Sequence, residues 1–142
     1  MKVTKVEVLR SKDPIALPEQ WMPAWRGPQS NPITSFEFAI YRVHTDEGLV
    51  GLGPYTGGDP ALVEGIDPFR VGAFWEAHMG GRRFENAGKR AAGLEIALWD
   101  LIGKATGQPV HRLLGARCDR ILVYAATSRL LAKEQMVREA ED

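Results

Sequence analysis

The sequence predicts an α+β fold: a three-stranded antiparallel meander followed by a helical bundle, plus the first β/α unit of a truncated β/α barrel. Three observations carry this reading. Residues in the first third of the chain alternate between polar and apolar, as half-buried strands do. A long helix follows Asn86, and between Ala91 and Ile102 nearly its whole circumference is apolar. Near the C-terminus a continuous apolar run, 121–126, precedes an amphipathic stretch, 130–142, the order of a strand covered on both faces and the helix that covers it.

The elements follow in chain order. In residues 2–10, Val6 and Val8 alternate with Lys5 and Glu7, which is strand periodicity. Residues 11–32 then carry Pro14, Pro18, Pro23, Pro28 and Pro32 beside Trp21, Met22 and Trp25. Five prolines argue against regular structure, while two tryptophans point to a binding loop or lid, or to a plug at the core edge, rather than a linker. Residues 33–45 read as one strand, with Phe36, Phe38 and Ile40 on one face and Glu37, Ala39, Tyr41 and Val43 on the other. Asp46, Glu47 and Gly48 supply a turn and residues 49–53 return, with Gly51 and Gly53 leaving bare positions against which the next loop can fold. That loop, 54–59, leaves the same end of the sheet as the tryptophan loop, so two loops share one rim.

Asp59 and Asp67, each followed by proline, are caps for two short helical segments, the second carrying Phe69, Phe74 and Trp75 and ending at Gly80 and Gly81. The long helix is capped by Asn86 and closed by Lys104, Gly107 and Pro109. Leu94, Leu98, Leu101 and Ala105 form one seam and Ala92, Ile96 and Trp99 another, so burial is expected around most of its circumference. Gly93 and Gly103 inside it imply close approach of another backbone. A short helix over 109–114 is stopped by Gly115.

Eighteen basic and eighteen acidic side chains cancel, so no field steers the chain to nucleic acid or an anionic membrane. The single Cys118 excludes an internal disulfide and a cysteine metal cluster and fits a cytoplasmic location. Residues 1–10 lack the apolar core of a signal peptide, and no run is long enough to span a bilayer. No constellation for catalysis or metal binding is visible. His44, His78 and His111 are far apart, Glu95 and Asp100 lie five apart on different helix faces where ion pairs with Arg90 or Arg112 are expected, and Ser128 and Thr127 have no base nearby. The glycines between 48 and 58 lack phosphate-loop order. The residues fit for ligand contact are Trp21, Trp25, Arg26, Tyr55 and Thr56, which combine aromatic faces, a fixed cation and a hydroxyl donor on the two rim loops.

The run AAGLEIALWDLIGKATGQPVHRLLGA, with A-L-W-D at 97–100, G-K-x-x-G-Q-P at 103–109 and L-L-G at 113–115, closely resembles the end of the N-terminal capping domain of the enolase superfamily, in its mandelate racemase/muconate lactonizing enzyme branch. The resemblance implies a capping domain over 1–115 and, over 116–142, a connector with the first strand and helix of a barrel. It implies that loops at the positions of 11–32 and 54–59 close over a small carboxylate substrate such as a sugar acid, and that the parent enzyme is a dehydratase or racemase using Mg²⁺ when a base removes a proton alpha to the carboxylate. Its metal ligands and bases belong to later barrel strands, so this chain is expected to be inactive alone, with no catalytic residue and no metal ligand of its own. Pro54 stands where the family commonly has Glu after Gly-x-Gly, and the stretch between Asp59 and Gly80 is short. A homo-oligomer is expected. The reading from another class is a stand-alone binding or oligomerisation module that has lost its barrel, associating through an exposed apolar strand at 121–126.

Overall fold

The computed structural model describes residues 1–22, 30–80, 87–118, 120–123 and 137. Among these, the chain is α+β. Five strands, β1 (Val3–Arg10), β2 (Ile15–Trp21), β3 (Ile33–Phe36), β4 (Ala39–Thr45) and β5 (Val50–Pro54), precede three α-helices, α1 (Val71–His78), α2 (Ala87–Thr106) and α3 (Val110–Leu113). The chain forms two compact units, Met1–Arg10 with Ala39–Arg117 and Ser11–Phe38 with Cys118–Asp142.

The first unit is a three-stranded antiparallel sheet in the order β1-β4-β5 with α2 packed on one face. Strand alternation decides which side chains meet the helix. Tyr41 and Val43 of β4 are fully buried with Thr45 beside them, whereas Arg42 and His44 face away. On β1 the register shifts between Val3 and Lys5, so Thr4 is an extra residue and Val3 reaches the same core as Val6 and Val8. Phe36 and Phe38, assigned to one face of a long strand by their spacing, stay exposed.

That long strand is in fact two. β3 pairs with β2 while β4 pairs with β1 and β5, so the run 33–45 breaks at Glu37 and Phe38, where it changes partners. The same ribbon corrects the expectation that residues 11–32 hold no regular structure. Each strand of a two-stranded ribbon has an outward edge where proline removes no ladder bond, and Pro18 lies within the register shift between Ala16 and Trp21. Ser11 closes the ribbon's base, its N–H donating to Phe38 O at 2.7 Å and its Oγ accepting from Phe38 N at 3.2 Å. This ribbon is the described architecture of the second unit.

α2 buries Ala91, Leu94, Ala97, Leu98, Leu101 and Ile102 against the sheet, with Val63, Val71, Phe74 and Met79 completing the core. Burial does not run round the helix as expected. Ile96 is 45% exposed, Ala105 is exposed and Trp99 is half-buried, because the sheet, α1 and α3 cover only part of its circumference. The C-terminal stop is as expected, with Gly107 at φ +63° and Gln108 N donating to Gly103 O at 3.0 Å. Asn86, the expected N-cap, lies outside the described residues. Asp59 and Asp67 do cap, accepting from Ala61 N at 3.0 Å and Phe69 N at 3.1 Å at the heads of 3₁₀ turns Pro60–Leu62 and Pro68–Arg70, the second of which runs into α1.

The glycines explain how close α2 lies. A Cβ at Gly93 would strike Pro54 O, one at Gly53 would strike Gly93 O, and one at Gly51 would strike Ala97 O. Close backbone approach was expected at Gly93, and β5 supplies it; the partner of Gly51 and Gly53 is the helix, not the following loop. At the edge of β5, Leu52 N donates to Asp100 Oδ2 at 2.8 Å and Lys104 Nζ donates to Val50 O at 2.7 Å, so an i,i+4 pair on α2 takes the place of a further strand.

After α3 and Gly115, Ile121, Leu122 and Val123, the described half of the expected barrel strand 121–126, are strongly exposed and not paired in a sheet among the described residues. Nothing within the described residues covers them, and a lone strand lacks the neighbours that would satisfy its backbone. Residues 124–126, and the expected helix 130–142 except Val137, lie outside the described residues.

Two outcomes test this fold. Gly93→Ala should destabilise the protein by at least about 2 kcal/mol, although helix propensity alone favours Ala by about 1 kcal/mol; a urea midpoint unchanged or raised at constant m-value would refute the glycine contact. On the outer sheet face, Lys5 Nζ donates to Glu7 Oε1 at 2.6 Å and His44 Nε2 meets Glu7 Oε2 at 2.7 Å. Lys5, then His44, lower the Glu7 carboxyl from 4.5 to about 2. Because the unfolded chain binds that proton more readily, stability conferred by Glu7 is complete above pH 4.5 and lost as pH falls through 2. Glu7→Gln should therefore flatten the acid limb of stability between those values in pH-dependent urea titrations.

Candidate functional site

The rim of the first sheet is built by three strand ends. Arg10 pairs with Ala39, Ile40 pairs with Pro54, and Tyr55 N donates to Ala39 O at 3.0 Å, so the end of β1, the start of β4 and the end of β5 lie abreast. Loop 54–59 leaves from here and is fixed along its length. Thr56 Oγ1 donates to Arg90 O at 2.6 Å and accepts from Gly93 N at 3.1 Å, inserting its hydroxyl into the backbone of α2. Gly57 turns the chain at φ +82°, and Gly58 lies where a Cβ would strike Arg90 O. Gly58 O accepts from the hydroxyl of fully buried Tyr41 at 2.9 Å. Burial pushes the Tyr41 phenol above its ordinary pKa, so it remains a donor across the working pH range.

Tyr55 caps this arrangement. Its ring tilts against Tyr41 with centroids 5.2 Å apart, and the guanidinium carbon of Arg10 sits 4.3 Å from its centroid. Of the five residues proposed from sequence, Tyr55 and Thr56 thus come together, Tyr55 presenting an aromatic face and Thr56 fastening the loop to the helix. Trp21 ends β2 opposite Ile33 in the second unit and is half-buried. Trp25 and Arg26 lie outside the described residues. Arg10 and Tyr41 escaped sequence reasoning, because alternation places a residue on a face of a strand without saying which loop its ring or guanidinium will meet.

A second concavity, about 800 Å³, lies beside α2, lined by Leu52, Val71, Trp75, Ile96, Trp99 and Leu114. Glu95 and Asp100 both reach it, although their spacing suggested different faces. Their oxygens are engaged by partners other than the arginines expected: Glu95 Oε1 accepts from Trp99 Nε1 at 2.7 Å, and Asp100 Oδ2 holds Leu52 N and Lys104 Nζ. Carboxylates so satisfied are poor proton shuttles. His44 is held by Glu7, and the His78 ring lies 4.7 Å from Phe74. Among the described residues no three His, Cys, Asp or Glu converge as a metal ion needs, so they do not fit a magnesium site. Nor is any helix among them long and apolar enough to cross a membrane. Ser128 and Thr127 lie outside the described residues.

Residues 23–115 match the family model described as mandelate racemase / muconate lactonizing enzyme, N-terminal domain. A D-galactonate dehydratase of Pectobacterium atrosepticum is 32% identical over 88% of this chain and 31% of its own length. The crystal structure of an enolase-superfamily member from Polaromonas superposes with TM-score 0.73 at 26% identity, covering 99% of this chain and 41% of that one. A dipeptide epimerase from Enterococcus faecalis, solved with Mg and the dipeptide L-Leu-L-Tyr, gives TM-score 0.63 at 28% identity over 87% of this chain and 37% of its own. The chain spans about a third of the length of the curated relatives it matches.

Thr56→Val keeps the side chain's shape and removes its hydroxyl. It should cost about 1–3 kcal/mol by leaving Gly93 N–H and Arg90 C=O short of a partner, measured as a lowered urea midpoint; an unchanged midpoint would mean the loop is not fastened to α2 by that hydroxyl.

Proposed function

Since this chain belongs to the mandelate racemase / muconate lactonizing enzyme family, whose N-terminal domain it carries over residues 23–115, we propose that it is the capping domain of a cytoplasmic, magnesium-dependent enolase-superfamily enzyme. The reaction is abstraction of the proton alpha to a carboxylate, in a dehydratase or racemase acting on an acid sugar, and the parent assembles as a homo-oligomer. The observation that carries this is the match to D-galactonate dehydratases along most of this chain and about a third of theirs, together with an epimerase relative solved with Mg.

In this reading the first unit contributes a preformed wall to the substrate chamber. Loop 54–59 is held to α2 by Thr56 and to β4 by Tyr41, so Tyr55 is presented at a fixed place. Such a wall excludes water and orients the substrate without supplying an acid or base. Trp21, which ends β2, and Trp25 and Arg26, which follow it in sequence, supply aromatic faces and a cation of the kind that suits a polyhydroxylated acid. Bound in the parent enzyme, magnesium would stabilise negative charge developing alpha to the carboxylate, with its ligands and the catalytic bases expected on the barrel. In this reading the 142-residue chain by itself is an inactive cap.

The test is exchange in D₂O. The polypeptide as its source cell makes it, with Mg²⁺ and D-galactonate or another hexonate, should replace the C2 proton with deuterium or eliminate water, as followed by ¹H NMR, whereas the 142-residue chain should do neither. Exchange by the short chain alone would place the chemistry here and overturn the reading. Failure of the source protein on every acid sugar offered would overturn it as well.

A further inference from the structure

Arg10 combines a fixed position with a guanidinium that makes no ion pair among the described residues. It ends β1 at the rim, is exposed, and lies over Tyr55 at 4.3 Å. Tyr55 cannot swing away freely, because its ring is backed by Tyr41, whose hydroxyl is tied to Gly58 O, and because its own N–H is tied to Ala39 O. The chain of contacts from the core to the guanidinium is therefore continuous. By contrast Arg42 and Lys5 on the outer sheet face and Lys104 on α2 all lie within 4 Å of a carboxylate oxygen. No such pair holds Arg10 among the described residues.

Stacking engages the flat face of a guanidinium and leaves its edge, with N–H donors in a fork, free to grip a planar anion. A cation placed before the ligand arrives also reduces the ordering cost of binding. We infer that Arg10, braced over Tyr55, recognises a second carboxylate at the end of the substrate turned toward the cap, and so favours sugar diacids over the corresponding monoacids. The inference rests on the capping role proposed above: the reacting carboxylate lies with the barrel's bases, so a cation on the cap reads the opposite end of the molecule.

The test has two readouts. In the 142-residue chain, the Arg10 Nε–Hε NMR signal, assigned with Arg10→Lys, should shift saturably with D-galactarate at an affinity on the order of millimolar and stay in place with neutral galactitol. Tyr55→Leu should weaken that binding several-fold. No shift with galactarate, or a shift with inorganic phosphate alone, overturns carboxylate recognition. In the polypeptide as its source cell makes it, Arg10→Met should lower kcat/KM for D-galactarate about tenfold more than for D-galactonate, mainly through KM. Equal losses for the two acids overturn the diacid preference while leaving the capping role intact. Turnover of neither acid overturns the diacid preference, and the NMR readout then decides whether Arg10 binds carboxylates at all.

Discussion

The contact on which the first unit depends is one without side chains. Gly51 and Gly53 of β5 face Ala97 and Gly93 of α2 so closely that a methyl group at either strand position, or at Gly93, would collide with backbone oxygen. This contact costs helix propensity at Gly93, and it is sustained because Leu94, Ala97, Leu98 and Leu101 then reach Tyr41 and Val43 across the sheet with nothing exposed. It also sets the rim. With the helix this near, a single hydroxyl at Thr56 can engage Arg90 O and Gly93 N together, and the loop after β5 becomes part of the helix surface.

The same closeness gives the polar residues of α2 structural work. Asp100 accepts the edge N–H of Leu52 and pairs with Lys104, which in turn donates to Val50 O. The ends of two side chains thus cover an edge that would otherwise invite another strand. Glu95 holds the indole of Trp99. The charged positions within A-L-W-D and G-K-x-x-G-Q-P are explained by this edge rather than by acid–base chemistry, and a helix whose carboxylates are so engaged fits a cap better than a catalytic element.

A fixed wall is a consistent use of such a unit. The rim presents one aromatic ring backed by another, a cation lying on it, and a loop held at several points by hydrogen bonds from elements of the core. In the proposed enzyme its chemistry is recognition, and the bond-breaking groups stand opposite it on the barrel.

Much of this was legible in the residues because the signals were local. Proline after Asp59 and after Asp67, glycine at 107 and at 115, and the turn at 46–48 each act through the dihedral angles or hydrogen bonds of their own neighbours, and each stands where expected. The strand of residues 2–10, the long helix and the short one after it were likewise visible from periodicity and stop residues. Tertiary structure decided what depends on partners distant in sequence. It broke the run 33–45 because β3 and β4 pair with different strands, and it drew 15–21 into a ribbon despite its proline because a two-stranded ribbon leaves one edge of each strand free. It left Ile96 and Ala105 outside the core, since the sheet and neighbouring helices reach only part of α2. It placed Arg10 over Tyr55 from 45 positions away, a contact made by the sheet's register and carried by no local pattern.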